Sequence, residues 1–184
     1  MTPQPSRPRV LIVDDHPANR MAFRSLLEPL YTVALAEDGN QALDLAAQED
    51  FAVILLDVRM PGMDGFQVAE ALRKQERTQF TPIVFMSAYD KTVVQEKRGY
   101  LVGATDFLFS PIDAELLKFK VATYVQMTLR NESLRFRIFH LQEAMQSLRE
   151  EISRFCPSEA VHHRILTLER RIEVLKLELD PQPA

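Results

Sequence analysis

The chain has 184 residues, 46% of them hydrophobic and 26% charged, which is the balance of a globular protein with one ordinary domain and an appendage. A net charge of −4 without any basic run argues against a nucleic-acid-binding surface, which needs clustered lysine and arginine. A single cysteine, Cys156, excludes an internal disulfide, and the absence of an apolar leader or membrane-length run predicts a cytoplasmic protein.

Short apolar runs alternate with amphipathic stretches over the first two thirds of the chain. Continuous β-branched runs suit strands that are buried on both faces, as in a parallel sheet. The predicted strands are 10–13, 31–36, 53–56, 83–86 and 106–109. The predicted helices between them are 17–27, 40–47, 65–75 and 93–101. This alternation predicts an α/β fold with a doubly wound parallel sheet and right-handed crossovers.

Acidic residues follow two of the strongest strands. Asp14 and Asp15 come directly after the first strand, and Asp57 ends the third. The carboxyl ends of parallel strands meet at one edge of a sheet, and clustered carboxylates are stable there mainly when a hard cation such as Mg²⁺ joins them. A carboxylate in such a site can become an acyl phosphate. Asp14 and Asp15 alone also suit a structural role as the cap of the helix that begins at Pro17.

Four motifs together indicate a family. They are LIVDD at 11–15, LLDVRMPGMDG at 55–65, MSA at 86–88 and GATDFL at 103–108. In order and spacing they closely resemble the receiver domain of two-component response regulators, of the CheY-like type, over residues 8–125. The resemblance implies a flavodoxin-like, doubly wound, five-stranded parallel sheet with the strand order 2-1-3-4-5.

The resemblance also implies a role for each acidic residue. Asp57 matches the phosphoryl acceptor, and a histidine kinase or histidine phosphotransfer protein would be the donor. Asp15 and Asp57 match direct Mg²⁺ ligands, Asp14 acts through water, and the backbone carbonyl of Arg59 is a further ligand. Ser87 matches the switch hydroxyl and Phe107 the aromatic switch residue, whereas Arg59 and Tyr89 match positions that tune the lifetime of the phosphoryl group.

One departure from the family pattern concerns charge. The family has a lysine before the proline that follows the fifth strand, but this chain has Ser110 there. Serine supplies no positive charge and is too short to reach across the pocket. Either Asp57 is phosphorylated with weakened coupling to conformation, or the domain is a phosphorylation-independent pseudo-receiver scaffold. Arg59 and Lys91 are candidates for a substitute cation.

From Asp113 the sequence becomes purely helical. No proline or glycine interrupts residues 114–155, a helix of about 60 Å if continuous. Its heptad repeat predicts a coiled coil, with Ile or Met at a and Leu at d favouring a parallel homodimer, and Asn131 at an a position fixing the register. The predicted coiled-coil core is Asn131, Leu134, Ile138, Leu141, Met145, Leu148 and Ile152. The plainer alternative is that residues 127–134 only pack on the chain's own sheet.

A proline at 157 ends this helix, and a second heptad series follows from Val161 to Leu179 in a different phase. A bent second helix, perhaps folding back as a hairpin, is therefore favoured over one straight rod. The sequence leaves dimer and tetramer open, since the second helix could build a four-helix bundle with its mate. His162 and His163 are interpreted as solvated surface rather than phosphotransfer residues.

The predicted organisation is a receiver domain at 8–125, a coiled-coil extension at 126–156, a second helix at 157–180 and flexible tails at 1–7 and 181–184. The predicted function is a response regulator that is not an enzyme and that signals through oligomerisation and protein partners, without DNA or membrane binding. The alternatives are the pseudo-receiver scaffold and a signalling linker segment of a larger sensor kinase or cyclase system.

Overall fold

The computed structural model describes the backbone of residues 7–87, 93–155 and 159–179, and the side chains of 7–87, 97–151 and 163–176. The strands are β1 (Arg9–Val13), β2 (Thr32–Ala36), β3 (Val53–Asp57), β4 (Ile83–Ser87) and β5 (Asp106–Phe109). The helices are α1 (Pro17–Leu27), α2 (Gly39–Gln48), α3 (Gly65–Lys74), α4 (Val93–Leu101), α5 (Ala114–Phe155) and α6 (Glu159–Leu179). Tyr89, Lys91, Cys156, the tails at 1–6 and 181–184, and the side chains of Ile152 and His162 lie outside the described residues.

The five strands form one parallel sheet in the order β2-β1-β3-β4-β5, which confirms the predicted fold class. In the register of the sheet, Val10 of β1 lies between Val33 of β2 and Val53 of β3. The strand order reverses between β1 and β3. In open α/β sheets the functional crevice forms at this point, beyond the carboxyl ends of the strands.

The strands are buried because each contributes apolar side chains to both faces of the sheet. Alternate residues of a strand point in opposite directions, so β3 supplies Ile54 and Leu56 to one apolar cluster and Val53 and Leu55 to the other. Helices α2 and α3 cover the first cluster. Helix α1 and the first turns of α5 cover the second. This two-sided burial explains why the strand sequences are almost continuously apolar.

Local signals set where several helices begin. The Asp38 carboxylate accepts a hydrogen bond from the backbone N–H of Gln41 and starts α2. Asp64 and Gln67 form a reciprocal capping box at the start of α3, in which each side chain accepts from the other residue's backbone N–H. Pro17 occupies the first turn of α1, where a missing N–H costs nothing.

The side chain of Arg73, in the last turn of α3, ties three loop carbonyls together. Its guanidinium donates to the carbonyl oxygens of Thr78 and Thr81, both at 2.9 Å, and of Gly103 at 2.7 Å. Burial lowers the pKa of Arg73 to about 10, so the group stays charged at neutral pH. The loops before β4 and after α4 are therefore held by one half-buried cation.

We expect Arg73→Ala to lower the free energy of unfolding by about 2–3 kcal/mol, because three carbonyls lose a charged donor. Arg73→Lys should recover only part of this loss, since one ammonium cannot reproduce the spread of the guanidinium. Urea unfolding followed by tyrosine fluorescence measures the change. The exposed neighbour Lys74→Ala is the control and should stay within about 0.5 kcal/mol of wild type.

The chain divides into two compact units, Met1–Thr128 and Leu129–Ala184. In the first unit, α5 packs on the sheet through Leu117, Val121 and Val125. Lys120 and Tyr124 of α5 both donate to the carboxylate of Asp106 in β5. Burial by itself raises the pKa of Asp106, but these two hydrogen bonds and one from the Phe107 backbone outweigh it and hold the pKa below its usual value.

In the second unit, α6 lies beside the later turns of α5. Gln142 donates to Glu173 at 3.3 Å, and Arg149 forms an ion pair with Glu169 at 3.1 Å. Of the predicted coiled-coil core, Ile138 and Met145 are half-buried, whereas four others are exposed: Asn131, Leu134, Leu141 and Leu148. His163 is exposed, as is His140. No helix within the described part of the chain combines the length and apolar character that a membrane span requires.

Candidate functional site

Asp14, directly after β1, is almost completely buried, with 2% of its surface exposed. The Asn19 side-chain amide donates to both of its carboxylate oxygens, at 3.3 and 3.0 Å, and the backbone N–H of His16 donates at 2.8 Å. Arg20 donates to the Asp14 backbone carbonyl at 2.7 Å. A buried carboxylate is costly unless hydrogen-bonded, so the first turn of α1 is built to hold Asp14 in place. The capping role considered for Asp14 and Asp15 from sequence is wrong, because the N-cap of α1 is His16 and no side chain makes a capping hydrogen bond there.

Asp57 ends β3 and is half-buried, with the backbone N–H of Arg59 donating to its carboxylate at 3.3 Å. Burial raises the pKa of Asp57 to about 6, and the negative charges of Asp14 and Asp15 push it in the same direction. The backbone hydrogen bonds offset only part of this increase. The site thus disfavours the ionised form of Asp57 unless a cation is nearby.

The ends of the strands enclose a cavity of about 380 Å³ beside Asp57. Asp14, Ser87 and Ser110 also line it, as does Arg59. Ser87 is 7% exposed, and its backbone carbonyl accepts a hydrogen bond from the backbone N–H of Ser110 at 2.9 Å. Five residues that the sequence singled out from four separate segments therefore line one cavity.

Comparison with known proteins agrees with this geometry. The family model "Response regulator receiver domain" matches residues 10–122, which is more than half of the chain. The chain belongs to the response regulator receiver domain family.

Individual relatives show the same extent of match. The sensor protein GacS of Pseudomonas syringae pv. syringae is 42% identical over 129 residues, covering 67% of this chain but 14% of the relative. The response regulator PleD of Caulobacter vibrioides is 40% identical over 130 residues, covering 70% of this chain and 28% of the relative. The chain thus spans a small part of these relatives. The structure of the chemotaxis protein CheY4 of Vibrio cholerae aligns with a TM-score of 0.61 and 35% identity, covering 65% of this chain and 99% of that one.

The oxygen atoms of this receiver suit a hard cation. One ligand atom from each of Asp14, Asp15 and His16 lies within 4.8 Å of the others. The Nδ1 atom of His16 is 2.7 Å from Asp15 Oδ1, so the imidazole orients that carboxylate. Carboxylates and a peptide carbonyl are the donors that Mg²⁺ prefers, and the repulsion around Asp57 is what a cation would relieve. The acidic pocket therefore fits Mg²⁺.

Phe107, in β5, which the resemblance predicts to be an aromatic switch residue, is buried and 7% exposed. Its ring contacts Phe85 at 5.3 Å, Tyr100 at 5.4 Å and Phe109 at 5.9 Å between centroids. A Cβ at position 99 would come within 2.2 Å of the Phe107 ring, so only glycine leaves room for this inward position. The aromatic contacts and Gly99 together define where Phe107 rests.

Some residues of the pocket were missed by sequence reasoning. Asn19, Arg20 and His16 all contact Asp14 or Asp15, but no motif named them. The available signal was weak: polar side chains within six residues of the acidic pair, just before the helix that follows and in its first turn. Conversely, Asp15 does not line the cavity beside Asp57, although it lies in the same acidic cluster.

We expect Asp57→Asn to stabilise the metal-free receiver at pH 7 by about 1 kcal/mol. A rise in the pKa of Asp57 from 3.8 to about 6 means that the ionised carboxylate destabilises the folded state by about 3 kcal/mol. Because Asp57 is partly exposed, solvent screening reduces this destabilisation to about 1 kcal/mol. The folded state holds the proton more tightly, so the penalty grows as pH rises from about 4 to 6 and is complete above 6. Urea unfolding in EDTA should show the two proteins converging near pH 4. Equal stability at pH 7 would contradict the expected penalty.

Proposed function

We propose that this chain is a response regulator whose receiver accepts a phosphoryl group on Asp57. The observation that carries the proposal is that Asp57 shares one cavity with Asp14 and the buried hydroxyl residue Ser87. An oxygen of the Asp57 carboxylate attacks the phosphorus of a phosphohistidine, the P–N bond breaks, and the imidazole leaves. The donor is a histidine kinase or histidine phosphotransfer protein, in keeping with the histidine kinases among the relatives.

In this proposal Asp15 and Asp57 hold Mg²⁺ directly, Asp14 holds it through water, and the backbone carbonyl of Arg59 completes the protein ligands. The ion supplies positive charge to the phosphoryl oxygens. Asn19 and His16 keep the two carboxylates after β1 oriented. Ser87 hydrogen-bonds the phosphoryl group, and the ring of Phe107 changes position when the Ser87 hydroxyl moves. We place the exchange in the cytoplasm, consistent with a chain that has one cysteine.

Output is proposed to pass through the second unit. Helix α5 runs without interruption from the receiver into that unit, so a shift in its packing on the sheet has a covalent path into the helical extension. Lys120 and Tyr124, which bind Asp106, are the contacts that such a shift would have to change. Self-association and protein partners, rather than catalysis, are then the readout.

The second candidate function is a pseudo-receiver scaffold that works without phosphorylation. The observation that favours it is Ser110, which lines the cavity where the family has lysine. Arg59 also lines the cavity and is the described candidate for a substitute cation. Lys91 lies outside the described residues. The two candidates make opposite predictions about the chemistry of Asp57.

Incubation with acetyl phosphate and Mg²⁺, followed by intact-mass measurement, separates them. We expect wild type to gain one phosphoryl group and Asp57→Asn to gain none. Asp50→Asn is the matched control, because Asp50 is an exposed carboxylate paired with Arg77 at 3.4 Å, and it should be modified like wild type. EDTA should abolish the modification. An unmodified wild-type protein whose helical unit still self-associates would leave the scaffold as the function.

A further inference from the structure

The second unit contains an antiparallel helical hairpin. Gln142 of α5 contacts Glu173 of α6, and Arg149 further along α5 contacts Glu169 earlier in α6. Residue numbers therefore rise along one helix as they fall along the other. The two helices face each other over this region.

The side of α5 that faces α6 follows from burial. Within 129–151 the half-buried residues recur in steps of three and four: Arg135, Ile138, Gln142 and Met145. On α6 the half-buried residues are Ile165, Glu169 and Ile172. In the heptad numbering, Ile138 and Met145 are a positions, and Arg135 and Gln142 are e positions. Helix α6 therefore covers the a and e positions of α5. A parallel coil formed through both the a and d positions of α5 would need surface that α6 already occupies.

The d positions are left uncovered. Leu134, Leu141 and Leu148 of α5 are 36%, 56% and 55% exposed, and Leu168 and Leu175 of α6 are each 51% exposed. Leu141 comes one residue before the half-buried Gln142, and Leu168 comes one residue before the half-buried Glu169, so each lies about 100° around its helix from the contact in the same rotational sense. Because the helices run antiparallel, this places both leucines on the same side of the hairpin, and Leu134, Leu148 and Leu175 follow at heptad spacing. The five leucines thus share one side of the hairpin, called here the leucine face. Leucines spaced by seven residues on adjacent helices form a continuous apolar stripe of the kind that marks an interface.

We propose that the leucine face binds a second copy of this chain, with the two α5 helices antiparallel and centred on Leu141. The inference rests on the self-association in the proposed function and supplies its geometry. In this alignment Leu141 meets its own counterpart, and Leu134 meets Leu148 of the partner subunit. The two hairpins together form a four-helix bundle, with Leu168 and Leu175 closing the same apolar layer.

Charge selects the orientation. Arg130, Arg137 and Glu151 flank the leucines of α5, and among the described side chains none of the three forms an ion pair. The antiparallel alignment places Arg130 beside Glu151 of the partner subunit. It also places Arg137 beside Ala144 of the partner subunit, whose small side chain leaves room for the arginine stem. In a parallel alignment Arg130 and Glu151 of the two subunits would lie about 30 Å apart along the bundle, so this pairing would be lost.

The interface is tested first by light scattering on the full-length protein. Wild type is expected to be a dimer, and Leu141→Glu should weaken dimerisation by at least tenfold. Phe139→Glu is the matched control, because Phe139 is equally exposed but lies about 200° around α5. It should remain dimeric. Circular dichroism confirms that both variants keep their helices. A monomeric wild type, or equal loss in both variants, would overturn the proposal and leave the leucine face to another partner, such as an acidic amphipathic helix.

The orientation is tested by cross-linking in a Cys156→Ser background. Leu134→Cys and Leu148→Cys should form a disulfide only when the two variants are mixed, since each alone would place its thiols about 21 Å apart. Cross-linking within either single variant would indicate a parallel pair and overturn the antiparallel arrangement. Arg130→Glu should weaken the dimer, and adding Glu151→Arg should restore it. The readouts do not involve Asp57, so a stable dimer with an unreactive Asp57 would refute the proposed phosphorylation and leave this interface standing.

Discussion

Replacing Gly65 by alanine is expected to destabilise the receiver by at least about 3 kcal/mol, or to prevent it from folding. A Cβ on Gly65 would lie 2.2 Å from the backbone oxygen of Asp57 and 2.9 Å from the Cα of Val58. Both atoms belong to backbone, so no rotamer change relieves the contact. The backbone N–H of Gly65 also donates to the Val58 carbonyl at 3.0 Å, which holds the start of α3 against the end of β3.

Gly62→Ala is the control, because it changes a glycine in the loop just before α3 without a steric conflict. Gly62 has φ +78° and nothing within 4 Å of its Cβ position, so alanine should cost only about 1 kcal/mol for the left-handed backbone. Urea unfolding followed by tyrosine fluorescence reports on the receiver, since all four tyrosines precede residue 125. If both variants lost the same stability, the close approach of α3 to Asp57 would not be what requires glycine at 65.

The fold could be predicted from sequence because two-sided burial leaves a direct signature. The run from Val53 to Leu56 is continuously apolar, and the structure buries all four side chains. The errors at element ends have local causes. Strand β2 begins at Thr32 rather than Tyr31, because the backbone N–H of Tyr31 still donates to Leu27 at the end of α1. Helix α2 begins at Gly39, one residue before the first residue of the predicted helix, because Asp38 caps it there.

Contacts between distant segments were beyond sequence reasoning. Arg73 lies thirty residues before Gly103, whose carbonyl it binds, and nothing in its neighbourhood distinguishes it from the exposed Lys74. The direction of α6 relative to α5 could not be predicted from sequence either. A change of heptad phase after residue 156 suggested a bend, but only the Gln142–Glu173 and Arg149–Glu169 contacts show which side of α5 is covered.

The residues of the candidate site could be predicted from sequence more readily than these contacts, because they follow strands. Asp14, Asp57 and Ser87 each lie at or just after the carboxyl end of a buried strand, and topology alone brings such positions together. Asn19 is different, since its role depends on the first turn of α1 folding back over Asp14. Sequence position therefore identified groups that line the cavity, whereas the side chains that orient them could be recognised only from the folded structure.

Ser110→Lys is expected to increase the affinity for beryllofluoride, a phosphoryl mimic at Asp57, by at least about tenfold. Ser110 lines the cavity that Asp57 and Ser87 share, so a lysine placed there can reach the mimic. A hydrogen bond to a charged group contributes about 1.5–3 kcal/mol, and about 1.4 kcal/mol corresponds to tenfold in affinity. The new cation should also lower the pKa of Asp57 from its value of about 6, because it favours the ionised carboxylate.

Ser110→Met separates charge from size, since methionine is unbranched and fills the cavity without a cation. Titration calorimetry with Mg²⁺ and beryllofluoride should show tighter binding for Ser110→Lys and no gain for Ser110→Met. If wild type bound the mimic and the lysine variant bound it no more tightly, positive charge would already be present in the wild-type pocket. Arg59, which lines the same cavity, would then be its source among the described residues. In that case Arg59 would supply the positive charge that the family's lysine supplies elsewhere. Ser110 would then no longer favour the scaffold function.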